Sequence, residues 1–148
     1  MLEDKLDQDI KSALLAGDKF RVTTLRQLKA TLLNAKVAQN KRDVGLEDSE
    51  LQAIFSKEAK QRQESADLYL KGGDKNRADA ELEEKAIIET YLPKPLSEDE
   101  ITLAIDEVIK NKGSDISQMG QIIGAVKQKL GASADGSVIA RLTKERLS

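Results

Sequence analysis

The chain of 148 residues contains no cysteine, no histidine and no tryptophan, and only two prolines. Without cysteine there can be no disulfide, no thiolate zinc site and no thiol nucleophile, which fits a reducing compartment. Without histidine the commonest general base and the commonest metal ligand are both missing, so neither a Ser-His-Asp site nor a histidine-bound metal can form within this polypeptide. Aromatic residues make up only 3%, so burial must come from Leu, Ile, Val and Ala on one side of amphipathic helices. No apolar run approaches the ~20 residues that cross a bilayer. The start, Met1-Leu2-Glu3-Asp4-Lys5-Leu6-Asp7, has neither the basic opening nor the apolar core of a signal peptide. A cytoplasmic protein without membrane association is expected, and neither a metal site nor a cofactor.

Charge is what the chain has in quantity: 34% of residues are charged and the formal net charge is −2. That balance argues against indiscriminate nucleic-acid binding but leaves room for local clusters. The fold class is all-α. Tyr91-Leu92-Pro93-Lys94-Pro95-Leu96-Ser97-Glu98-Asp99-Glu100 divides the chain, because proline removes a backbone donor and drives the residue before it out of the helical basin. Ser97 and Glu100 then stand at the S-x-x-E spacing of a capping box, which starts a new helix. A four-helix bundle over 1–92, a proline-containing hinge over 93–96 and a three-helix subdomain over 97–148 are expected. As a plain linker or as a hinge aiming two halves at one partner, the stretch looks the same in sequence.

Helical periodicity carries the rest. Leu2, Leu6, Ile10 and Ala13 or Leu14 form a first helix closed by Gly17, and Asp18 can cap the next. Thr24, Leu25, Leu28, Leu32 and Ala35 share an arc of the second helix, over 19–40. Its charges are all positive, and Lys19, Arg26, Lys29, Lys36 and Lys41 fall on a face beside that arc. Val22, Leu33 and Val37 are expected to be exposed beside them. A third helix, over 47–71, buries Leu51, Ile54, Phe55, Ala59, Ala66 and Tyr69, and pairs Glu58 with Arg62 four residues on. A fourth, over 75–91, turns Ala78, Leu82, Ala86 or Ile87, and Tyr91 inward. It is acidic, so it can neutralise the basic second helix.

Beyond the prolines, Ile101, Ala104, Ile105 and Val108 or Ile109 define a fifth helix. Met119, Ile122 or Ile123, Val126 and Leu130 define a sixth, with Ser117 as candidate cap. Gly120 and Gly124 lie on one side of it and weaken the helix by about 1 kcal/mol each against alanine. Close approach by a neighbouring helix is the expected return, with direct ligand approach as the alternative. Gly131 to Ser137 leads into a last helix with Val138 or Ile139, Leu142 and Leu147 inward. This loop lacks the Gly-Lys-Ser ending of a P-loop, and Asp135 is expected to cap the helix.

Tyr91-Leu92-Pro93, Met119-Gly120 with Gly124, and Ala134-Asp135-Gly136 together resemble the GatB/YqeY family, similar to the C-terminal tail of the tRNA-dependent amidotransferase B subunit. The resemblance spans nearly the whole chain, including Arg26 and Gln61-Arg62. It implies two helical pieces and a link to tRNA, while the catalytic domains of that carbon–nitrogen ligase, with glutamine as amido-N-donor, have no counterpart here. The Asp74-Lys75-Asn76-Arg77 segment departs from the family pattern.

Three functions follow as expectations. In a tRNA-binding accessory module, Lys19, Arg26, Lys29, Lys36, Lys41, Lys127, Lys129, Arg141 and Lys144 are the candidate phosphate contacts, and tRNA shape is what is recognised. In a helical protein-interaction module, the partner is an amidotransferase or an aminoacyl-tRNA synthetase. A self-contained enzyme has the least support, since carboxylates on helices are usually solvated and no catalytic residue stands out.

Overall fold

A computed structural model describes residues 1–148. It contains seven α-helices and no β-strand: α1 (Leu2–Ala16), α2 (Lys19–Ala38), α3 (Asp48–Lys71), α4 (Lys75–Glu89), α5 (Glu98–Lys112), α6 (Met119–Leu130) and α7 (Gly136–Leu147). The chain divides into two compact units, Met1–Leu92 and Pro93–Ser148.

In the first unit, α1 ends where Gly17 takes up a left-handed conformation, φ 73°, open to residues without a Cβ. Asp18 then caps α2 by accepting from the Arg21 amide at 3.1 Å. Leu6, Leu25, Leu28, Leu51, Phe55, Ile88 and Tyr91 form the centre of a single core. Tyr91 closes it: the ring meets Phe55 edge-on, with centroids 5.5 Å apart at 89°, and the Lys5 ammonium lies 4.7 Å above its centroid. Its hydroxyl donates to the Asp9 carboxylate of α1. Burial, followed by that hydrogen bond, pushes the phenol well above its ordinary value.

Two expectations need correction here. Val22 is 7% exposed and belongs to the core, because on a helix it lies three residues before Leu25 and on the same face. In α4 the inward residues are Ala78, Ile88 and, partly buried against the core, the expected Ile87, while Leu82 and Ala86 are exposed. Tyr91 lies just beyond the helix, three residues past Ile88, so docking the tyrosine fixes the rotation of the last helical turn.

In the second unit, Ile101, Ile105, Ile122, Val126 and Ile139 pack α5, α6 and α7 around a separate core. Ser97 Oγ accepts from the Glu100 amide at 3.2 Å, which starts α5 as its spacing predicts. The Leu96 amide donates to the Ser133 carbonyl at 2.9 Å and so ties the approach to α5 to the loop before α7. Asp115, and not Ser117, caps the entry to α6: its carboxylate accepts from the Ser117 amide at 3.0 Å and sets a single 3-10 turn ahead of the helix. Asp135 caps α7 as expected, accepting from the amide and hydroxyl of Ser137 at 2.8 and 2.9 Å.

Candidate nucleic-acid interface

The cations of α2 are divided by the acids of its neighbours. Lys29 Nζ lies 2.6 Å from Asp7 Oδ1, and Lys36 Nζ 2.5 Å from Glu3 Oε1, both on α1. Lys41, just past α2, reaches Glu50 Oε1 of α3 at 2.7 Å. Lys19 and Arg26 are exposed outside any ion pair. The ion pairs of α2 therefore run to α1 and α3, whereas the acids of α4 face elsewhere. Arg62 of α3 takes up one of them: its NH1 lies 2.6 Å from Glu58 and its Nε 3.3 Å from Glu84 of α4, with all three side chains at 20% exposure or less.

Beside Arg62 a cleft of about 530 Å³ opens, lined by Gln27, Gln61, Ser65, Leu68, Glu81 and Glu84 among others. Burial, with the Glu84 carboxylate adding to it, holds Glu81 above the usual carboxylate range. Arg62 is already shared between two carboxylates, so the cluster latches α3 to α4. The pairing of Glu58 with Arg62 follows from their spacing; the third member, Glu84, is distant in sequence and leaves no local signal.

The second unit offers a different surface. A Cβ built on Gly120 or on Gly124 would have nothing within 4 Å. Both glycines are exposed, and Gln121, Lys127 and Gln128 are exposed with them. The expected close approach by a neighbouring helix of this unit is therefore absent: the core face of α6 is Ile122 and Val126, and the glycines lie off it. Lys127 lies across the start of α7, where a Cβ on Gly136 would come 2.8 Å from its Cε. Between Asp115 and Asp135 the chain has no acidic residue at all. That acid-free stretch is a sequence signal for this surface, and charge counting over the whole chain hides it. Met119 is half-buried at its edge.

Three further cations of this unit are paired with acids of α5. Lys129 bonds Glu107, and Arg141 bonds Glu98, with Glu145 also within 3.4 Å of Arg141. Arg146, which the sequence pattern did not single out, grips Asp106 through two bonds, Nε to Oδ1 at 2.6 Å and NH2 to Oδ2 at 2.9 Å. The Lys129 hydrogen bond, then its charge, holds Glu107 below the usual carboxylate range. Lys144 is exposed without an ion pair.

A family model described as YqeY-like protein matches residues 3–147. The chain belongs to this family. Among curated relatives, the protein named altered inheritance of mitochondria protein 41, mitochondrial, from Eremothecium gossypii is 39% identical over 87 residues, 59% of this chain and 46% of the relative. The protein of that name from Vanderwaltozyma polyspora is 34% identical over the same length. The chain spans about half the length of these two relatives. The Kluyveromyces lactis protein is 30% identical over 129 residues, 84% of this chain and 68% of that relative. These names overturn the cytoplasmic placement expected above, since each relative is named as mitochondrial. The expectation rested on missing cysteine and an acidic start, and neither distinguishes one reducing compartment from another.

Proposed function

We propose that the chain is a non-catalytic RNA-binding accessory module that holds tRNA against the exposed face of α6. The observation that carries this is the pair Gly120 and Gly124, bare and solvent-facing on a helix flanked by Lys127 and free of acids. Two glycines without packing partners weaken α6 by about 1 kcal/mol each. A ligand backbone that approaches the helix more closely than any side chain would permit offsets that loss. Lys127 beside them, with Lys19, Arg26 and Lys144 exposed elsewhere, supplies charge for phosphates without base readout. Recognition is then of tRNA shape, in keeping with a chain of few aromatics for stacking. By family resemblance the module stands beside carbon–nitrogen ligases that use glutamine as amido-N-donor, and contributes grip and not chemistry. Pro93 to Leu96 is the joint between its units. The relatives' names support a mitochondrial setting.

A helical protein-interaction module is the second reading, favoured by Leu33 at 48% and Val37 at 54% exposure on α2. An amidotransferase or an aminoacyl-tRNA synthetase is the partner it implies. Titration of labelled tRNA at several salt concentrations tests the first reading. Binding that weakens steeply with salt is expected; affinity no greater than that of an acidic control protein overturns it. Co-purification with and without ribonuclease separates the two, because a protein partner survives the nuclease.

A further inference from the structure

We infer that the carboxylates of α5 act as a built-in competitor for phosphate, masking cations of α6 and α7 until RNA displaces them. This rests on the RNA-binding function proposed above and adds a regulation to the same unit. Three acids on one helix, Glu98, Asp106 and Glu107, each reach across to a cation on another: Arg141, Arg146 and Lys129. None of the three ion pairs joins residues within one helix. All six side chains are at least one-third exposed, so the pairs lie where a ligand can reach them.

The Arg146 pair shows the substitution most clearly. Its guanidinium holds the two Asp106 oxygens through parallel N–H donors at 2.6 and 2.9 Å, the fork geometry with which arginine also grips a phosphate. A carboxylate there stands in for a phosphate already oriented. Exposed ion pairs couple weakly, so a polyanion can replace the carboxylate, and each pair reduces the affinity for phosphate by only about two- to fivefold. The cations are thereby kept from indiscriminate contact with polyanions, and a ligand must engage several at once to displace the acids.

The test compares two variants of the full chain that lose the same charge from the same helix. Asp106→Asn with Glu107→Gln releases Arg146 and Lys129. Asp99→Asn with Glu100→Gln removes two carboxylates of the first turn of α5 that form no ion pair. Labelled tRNA is titrated against both and against the parent chain over a salt series, with melting curves to establish that each is folded. The releasing variant is expected to bind more tightly than the control by about two- to fivefold for each freed cation, with a similar slope of log Kd against log salt because the same phosphates are neutralised once the acids are displaced. Equal affinity in the two variants overturns the masking while leaving RNA binding intact. Absence of tRNA binding by all three proteins overturns both. Should the double substitution unfold the chain, Glu107→Gln against Asp99→Asn carries the comparison with one cation.

Discussion

At the residue scale, two side chains bear more than packing. Tyr91 joins the end of the first unit to α1 through Asp9 and meets Phe55 edge-on. Tyr91→Phe keeps the ring and leaves the half-buried Asp9 without this donor, so a loss of about 1–2 kcal/mol is expected in chemical denaturation. The phenol is raised in the folded state, so its contribution is complete below the ordinary value near 10 and is lost as pH climbs above it. Alkaline melting of the parent chain should fall more steeply above that pH than melting of the phenylalanine variant. Arg62 is the second such residue. Arg62→Met leaves Glu58 and Glu84 close together without their cation, and a destabilisation of about 1–3 kcal/mol is expected, less than for a fully buried pair because all three retain some solvent. Glu81 has the opposite sign to a salt-bridged acid. Its carboxyl is raised, so the folded state is favoured while it is protonated and loses that advantage as pH rises through the carboxylate range. Glu81→Gln should therefore raise the melting temperature at pH 7 and leave it nearly unchanged at pH 3.

At the scale of helices, the three caps of the second unit show what spacing reveals and what it does not. Ser97 is legible from its S-x-x-E spacing with Glu100 and Asp135 from its place at the end of the glycine-containing loop before the last helix, and both cap as their positions require. Spacing points to Ser117 ahead of α6, whereas Asp115 is the cap, since an intervening 3-10 turn moves it upstream of the helix proper. The helices themselves were legible because the core repeats at helical period: Leu25, Leu28 and Leu32 on α2, and Leu51, Phe55 and Ala59 on α3, all buried. The rotation of α4 was not legible, because Leu82 and Ile88 are equally apolar and only the docking of Tyr91 decides between them. For the glycines of α6 the sequence reveals their common side but not whether a neighbour covers it. Their exposure makes a direct prediction: Gly124→Ala has room for its methyl group and should stabilise the unit by about 1 kcal/mol.

At the scale of the whole molecule, positive charge is abundant and answered only in part, and it is answered where the sequence draws a basic face. Of the cations on or beside α2 that sequence spacing assigns to one basic face, Lys29, Lys36 and Lys41 are held by acids of α1 and α3. A wheel drawn for one helix cannot show this, because those acids belong to other helices and meet α2 only after folding. The acid-free α6 keeps its open surface because no such partner lies over Gly120 and Gly124. The proposed function uses a surface that helix propensity alone would have removed, a local rule broken in favour of a ligand.

The most direct measurement is a paired one, on the parent chain and on Gly120→Ala with Gly124→Ala, recording the melting temperature and the Kd for labelled tRNA in the same low-salt buffer. The variant is predicted to melt higher and to bind more weakly, because the added methyl groups strengthen the helix while holding the RNA backbone away from it. A variant that melts higher and binds tRNA as tightly as the parent would contradict the account, and so would a parent chain that binds no tRNA.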